Sequence, residues 1–390
     1  MPAIQTAARL RHFGTSIFSE MTALATAHSA INLAQGFPDF DGPDDVRDAA
    51  VAAINAGHNQ YARSQGRPEL NRAIAKHVTQ FRGIDLDPLT QVVVTSGCTE
   101  ALMAMALGIL EPGDEVITFE PFYDGYPVVV AAAGAKLVPI TLHAPGFAID
   151  LAAVAAALTP RTRMLLLNTP HNPSGKVFSR LELEALAALA VSRDLLVVMD
   201  EVYEHLIYDV PHVSMATLPG MAERTLTLSS AGKTFSFTGW KIGWAYGPGA
   251  MVAAVQAAHQ FLTFCSATPL QLGIAHALTS LGPDFYEELA AMYRRKRDFL
   301  VQALEAAGLR TCPVQGTYFV LADFSRVFGG DDRAFCRWLV EHHGVAAIPP
   351  SVFYGREVDA GRQLARFAFC KRDETLQAAA DRLQRIGGAP

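Results

Sequence analysis

Residues 229–244 read SSAGKTFSFTGWKIGW and hold two lysines, Lys233 and Lys241, among serines, threonines and glycines. Small residues let a backbone turn tightly and pass close to a ligand. An amine held on such a turn can attack a carbonyl and form a Schiff base. The surrounding hydroxyls and N–H groups, with the second lysine, can hold a phosphate. Read alone, Lys233 is by default a surface lysine on a glycine turn, the usual fate of a lysine. Gly232-Lys233-Thr234 also matches the end of a nucleotide-binding P-loop, but that pattern needs a glycine where this chain has Thr227.

Other residues offer complementary chemistry. Asp200 closes the apolar run 195–199. A carboxylate at a buried strand end needs a partner, and a pyridinium N–H is one that a carboxylate keeps protonated. Tyr203, three residues on, can reach a neighbouring ring oxygen. Ser96-Gly97-Cys98-Thr99 leaves a strand and opens a helix, where free N–H groups and the helix dipole favour an anion; ordinary capping explains the same residues. Asn172-Pro173-Ser174-Gly175 is a turn by composition. Arg366 interrupts the apolar run 364–369. Its planar fork matches a carboxylate, from a substrate or from an interdomain salt bridge.

These residues need a scaffold that gathers them. The pattern predicts strands over 91–95, 114–119, 136–140, 164–168, 195–199, 225–228 and 241–246. Helices are predicted over 97–110, 125–133, 150–158 and 180–192. Such alternation implies an α/β fold with a mostly parallel sheet covered by helices. Ligands then lie beyond the carboxyl ends of the strands, where the polar residues fall. Three parts are expected. Residues 1–42 form a lead-in with a helix over 17–28, residues 43–282 a large domain, and residues 283–390 a smaller α+β domain. The large domain adds helices over 43–56 and 69–82. The smaller domain has helices over 283–307, 332–343 and 374–386 and strands over 317–321 and 364–369.

Composition narrows the class. The 390 residues are 50% hydrophobic, with a formal net charge of -6 and no long basic tract, against nucleic acid or an anionic membrane as the main partner. Five scattered cysteines show no CxxC spacing and no HExxH occurs, so neither a disulfide framework nor a metal site is expected. No N-terminal export signal and no membrane-spanning apolar run is apparent, and a cytoplasmic protein is expected.

Taken in order, Gly97, Asn172, Asp200, Lys233 and Arg366 supply a phosphate cradle, a pyridinium partner, a nucleophile and a carboxylate clamp. At this point the chain resembles the fold-type I, class I aminotransferases over nearly its whole length. The segments that carry the likeness are NLAQGFPDF (32–40), NQYARSQGRPEL (59–70), EPFYDGY (120–126), NTPHNPSGKVF (168–178), DEVYEHL (200–206), SSAGKTFSFTGWKIGW and RFAFCK (366–371). The QGFPDF and EPFYDGY forms are most similar to the kynurenine, glutamine and methionine aminotransferase branch.

The resemblance implies pyridoxal 5'-phosphate as cofactor. Lys233 would carry the aldimine and shuttle the substrate proton. Asp200 would pair with the pyridine nitrogen, Tyr203 and Asn172 with the phenolic oxygen, and Tyr123 would stack on the ring. Gly97, Cys98, Thr99, Ser230 and Lys241 would hold the phosphate, with Tyr61 reaching that of a partner subunit. Arg366, Gly36 and Asn172 would bind the substrate carboxylate, and Phe18 with the partner's Phe264 would line the side-chain pocket. A homodimer with shared sites follows, acting on amino acids and 2-oxo acids. Phe18 and Cys265 depart from the kynurenine-type pattern, which often has Trp and His there. An aromatic, uncharged pocket favours methionine, glutamine, phenylalanine, tyrosine or kynurenine. A dicarboxylate enzyme would need another arginine, for which Arg63 and Arg67 are candidates. The competing expectations are a cysteine-S-conjugate β-lyase on the same residues and a non-catalytic amino-acid-binding regulator.

Overall fold

The computed structural model describes residues 6–11, 13–14 and 16–387. The first five residues of the lead-in and the last three of the C-terminal part lie outside the described residues. Among the described residues twelve strands follow in chain order: β1 (Ile31–Asn32), β2 (Val92–Thr95), β3 (Glu115–Glu120), β4 (Lys136–Thr141), β5 (Thr162–Asn168), β6 (Leu196–Asp200), β7 (Thr225–Ser230), β8 (Gly243–Tyr246), β9 (Arg310–Thr311), β10 (Phe319–Asp323), β11 (Val345–Ala346) and β12 (Leu364–Ala368). Seven of them form one sheet in the order β2-β8-β7-β6-β5-β3-β4. The β3–β4, β3–β5, β5–β6 and β6–β7 pairs are parallel, and β8 alone runs antiparallel to both its neighbours. The fold is therefore α/β with a mostly parallel central sheet.

Sequence explains the sheet. Its strands are runs such as Val-Val-Val-Thr at the β2 edge and Met-Leu-Leu-Leu-Asn inside, buried on both faces. Parallel strands need long crossovers, and helices such as Gly97–Ile109 and Arg180–Ser192 supply them. Ser179 and Glu182 close a capping box at the start of the latter, which fixes where it begins. One apolar core extends from Val116 and Leu166 in this sheet to Val320 and Phe367 in the second, β12-β10-β9. The lead-in joins the C-terminal part by the parallel pairing of β1 with β11.

Several expectations change. The strand predicted over 241–246 starts at Gly243, because Lys241 turns the chain with φ 54 after the 3-10 turn Thr238–Trp240. Lys233 is on a short helix, Ala231–Thr234, rather than on an open turn. The strand expected over 317–321 is β10, two residues later, because Thr317 has φ 66. Two helices, Gly249–Leu262 and Thr268–Ser280, had no counterpart in the sequence pattern. No helix of the described residues is long and apolar enough to cross a membrane.

Candidate active site

The sheet brings its polar strand ends into one row. Asn168 pairs with Asp200, Asp200 with Leu228, and Gly243 with both Ser230 and Thr95. Residues 168, 200, 230 and 95 are the last of their strands, so the segments that follow open onto common space. That space is a cavity of about 340 Å³. Its lining includes Phe18, Gly36, Gly97, Cys98, Thr99, Tyr123, Asn172, Asp200, Tyr203, Ser230, Lys233, Lys241 and Arg366. Of the residues that the resemblance assigns to cofactor or substrate, only Tyr61 and Phe264 are absent from the lining.

Lys233 reaches the cavity directly from the end of β7. Its Nζ donates to the Gly36 carbonyl at 3.3 Å and stands 5.8 and 5.5 Å from the ring centres of Tyr203 and Tyr318. Burial pulls its pKa down to about 8, against the pull of the nearby Cys370 thiol. An amine so tuned is partly unprotonated near neutral pH and can act as a nucleophile or base.

Asp200 is 4% exposed. Burial pushes its carboxyl up to about 6, and hydrogen bonds limit the rise. The Tyr126 hydroxyl donates to Oδ2 at 2.8 Å, Val202 N–H donates to Oδ1 at 3.4 Å, and Cys98 Sγ lies 3.7 Å from Oδ1. Asn168 braces the neighbourhood. Its Nδ2 donates to the Asp200 carbonyl at 2.8 Å, and its Oδ1 accepts from Asn172 N–H at 2.7 Å.

At the other end lies the start of the helix Gly97–Ile109. Ser96 makes no side-chain cap bond there, so first-turn N–H groups are free to face an anion. Glycine is required twice. Gly97 has φ 75, and a Cβ on it would meet Lys241 Nζ at 3.1 Å; a Cβ on Gly243 would meet Cys98 N at 2.6 Å. Lys241 Nζ lies 3.5 Å from Thr99 Oγ1.

Arg366 closes the third side. It is 1% exposed, and burial pulls its guanidinium down to about 10. Nη1 donates to Asn172 Oδ1 at 3.0 Å and Nη2 to the Ala34 carbonyl at 3.2 Å. Its Cζ lies 4.1 Å from the ring centre of Phe319 and 5.1 Å from those of Phe18 and Phe353. Its Nε has no hydrogen-bond partner among the described residues. A buried cation whose fork lines a cavity is set up to receive a carboxylate.

Tyr61 and Phe264 are 85% and 45% exposed and meet edge to face at 5.4 Å, off the cavity. Arg63 is exposed, with Nε donating to Gly66 O at 3.4 Å, and Arg67 pairs with Glu69 at 2.7 Å. Neither arginine lines the cavity. Sequence reading missed Tyr126, Asn168, Tyr318, Phe319 and Phe353. A hydroxyl on the otherwise apolar helix Gly125–Ala132 was the available signal for Tyr126.

Comparison with known proteins decides the family. The sequence profile of aminotransferase class I and II matches residues 28–383. The chain belongs to that family. It is 47% identical to a probable N-succinyldiaminopimelate aminotransferase of Mycobacterium tuberculosis, with 99% of each chain covered. It is 42% identical to the methionine aminotransferase of Escherichia coli, with 97% of each covered. The human kynurenine–oxoglutarate transaminase 1 is 37% identical, with 94% of each covered. A solved structure from Escherichia coli, described as having a methionine aminotransferase function, superposes with a TM-score of 0.94 at 42% identity, covering 98% of this chain and 100% of that one. The fold is thus that of the fold-type I aminotransferases, and the chain is an aminotransferase, exchanging amino groups between amino and oxo acids. The family uses pyridoxal phosphate.

Proposed function

We propose that this chain binds pyridoxal phosphate in the cavity and moves an amino group between a neutral, sulfur-containing or aromatic L-amino acid and a 2-oxo acid. The observation that carries the reading is the meeting in one cavity of the Lys233 amine, the buried Asp200 carboxylate and the Arg366 guanidinium. The donor set fits the cofactor. Asp200 suits a pyridinium N–H, Tyr203 and Asn172 suit the phenolic oxygen, and Tyr123 offers a ring face. Gly97, Cys98 and Thr99 with Ser230 and Lys241 suit a phosphate.

Bound pyridoxal phosphate supplies the carbonyl that exchanges amines and an electron sink for the substrate Cα. The protein does the rest. Arg366 and Asn172 hold the substrate carboxylate, Lys233 Nζ takes the proton from Cα and returns it on the other side of the exchange, and the aromatic wall excludes water. The rings of Phe18, Phe319 and Phe353 around Arg366, and the distance of Arg63 and Arg67 from the lining, favour uncharged side chains. Likeness to the N-succinyldiaminopimelate relative supports a second reading, a long donor ending in a carboxylate.

A homodimer belongs to the same proposal. Tyr61, Phe261 and Phe264 are 85%, 87% and 45% exposed, an aromatic patch that suits a second copy, with Tyr61 and Phe264 serving the partner's cavity. The deciding experiment is a visible absorbance scan of protein loaded with pyridoxal phosphate. L-methionine, L-glutamine, L-phenylalanine, L-kynurenine, L-aspartate and N-succinyldiaminopimelate are added in turn. Conversion to the pyridoxamine band with the neutral donors, lost in Lys233→Ala, supports the proposal. Conversion with N-succinyldiaminopimelate alone moves the assignment to the second reading. Pyruvate release from an added cysteine S-conjugate without that band indicates β-elimination, and no visible band at all refutes the cofactor assignment.

A further inference from the structure

Glu120 ends β3 and is completely buried, yet its carboxylate touches neither substrate cavity nor solvent. Its four lone-pair positions are all taken. Oε2 accepts from Gly355 N at 2.6 Å and Arg356 N at 2.9 Å. Oε1 accepts from Glu357 N at 2.9 Å and Thr141 Oγ1 at 2.8 Å. Three consecutive backbone N–H groups of one loop therefore converge on a single charge from the seven-stranded sheet. Hydrogen bonds to a charged acceptor are the strong kind, and a buried carboxylate left without them is costly.

The gripped loop lies behind the cavity wall, against Arg366 and Phe18. The turn Pro350–Phe353 precedes it, and Phe122 N donates to Phe353 O at 2.9 Å. The Phe353 ring lies 5.1 Å from the Arg366 guanidinium and 6.2 Å from the Phe18 ring. On the sheet side, Tyr123 follows Glu120 by three residues and lines the same cavity. One carboxylate thus joins the segment that carries Tyr123 to the segment that carries Phe353.

We infer that Glu120 is a positioning residue for the substrate clamp: its carboxylate fixes residues 353–357 and so sets the aromatic bed on which Arg366 presents its fork. The inference rests on the reading of Arg366 as the substrate-carboxylate site. Glu120→Gln keeps the size and one acceptor oxygen but turns an N–H₂ group toward backbone donors. Misplaced binding groups cost roughly ten- to a hundredfold.

The test measures the Kd of 3-phenylpropanoate by calorimetry on protein loaded with pyridoxal phosphate, with KM and kcat for donor and acceptor. The rate of cofactor release is recorded alongside. In Glu120→Gln, Kd and both KM values are expected to rise about tenfold or more, with kcat and cofactor release little changed. A purely structural role would lower the melting temperature and leave Kd and KM within twofold, which overturns the inference. Thr141→Val removes one of the four donors and spares the charge. It should raise Kd in the same direction by about two- to fivefold, and it keeps the test decisive if Glu120→Gln fails to fold. Arg366→Lys is the control: an unchanged Kd there overturns the parent reading of Arg366, whereas a raised Kd there with Glu120→Gln unchanged overturns only the role of Glu120.

Discussion

Removing the buried carboxylate of the site should stabilise the protein when the cofactor is stripped away. Asp200 has its carboxyl pushed from 3.8 up to about 6 by burial, with the Tyr126 hydroxyl bond holding the rise in check. The folded chain therefore keeps a proton between pH 4 and 6 that the unfolded chain has released. Folding stability contributed by this group falls as pH rises through that window, and the whole cost is present above about pH 6. At about 1.4 kcal/mol per unit, a rise of about two units costs roughly 3 kcal/mol at pH 7. Asp200→Asn has no charge to bury, and its amide oxygen still accepts from Tyr126.

The variant should therefore match the parent near pH 4 and exceed it by about 3 kcal/mol at pH 7. For a chain of 390 residues, an unfolding entropy of about 2 cal/mol/K per residue converts this to about 4 °C in melting temperature. Circular dichroism melts of both cofactor-stripped proteins, at pH values from 4 to 7.5, make the comparison. Coincident melting at every pH would refute the argument, and a gap that does not change with pH would assign the effect to packing. Loading with pyridoxal phosphate should reverse the order, since only the parent gains a charged partner for the pyridine nitrogen.

Tyr126→Phe removes a hydrogen bond to a charged acceptor worth about 1.5–3 kcal/mol. The midpoint of the Asp200 stability window should therefore move up by about one to two pH units, read from the same melts, and cofactor release should quicken. Lys233, pulled down to about 8, should make reattachment of pyridoxal phosphate to stripped protein speed up as pH rises through about 8 and level off above it, because only the unprotonated amine attacks. Stopped-flow absorbance follows this, and a rate still climbing at pH 10 would contradict the depressed value. Arg366→Lys keeps the charge but loses the fork, so kcat/KM should fall about a hundredfold for amino acids, with cofactor binding unchanged.

What could be read from the sequence was whatever depends on local chemistry. Helices Arg180–Ser192 and Asp332–His343 match their predicted bounds, and the structure shows local signals there: a Ser179–Glu182 box starts the first, and Asp331 accepts from Ala334 N and Gly344 stops the second in the left-handed region. Helices Gly249–Leu262 and Thr268–Ser280 were missed for the opposite reason. Their caps, Pro248 and Ala267, offer no side-chain acceptor, and Thr268–Ser280 buries residues around more than one face because it packs against two other helices. The site divides in the same way. Lys233, Asp200 and Gly97 announce themselves by residue type at strand ends. Tyr126 meets Asp200 across 74 residues of chain, and Glu120 meets Gly355 across 235. Tyr126 stands out on its apolar helix, but neither partner can be read locally, because the sheet register and the interlocking of loops create both pairings. The sequence therefore exposes the groups that do chemistry more readily than the groups that hold them in place, and the positioning residues are where a structure adds most to this chain.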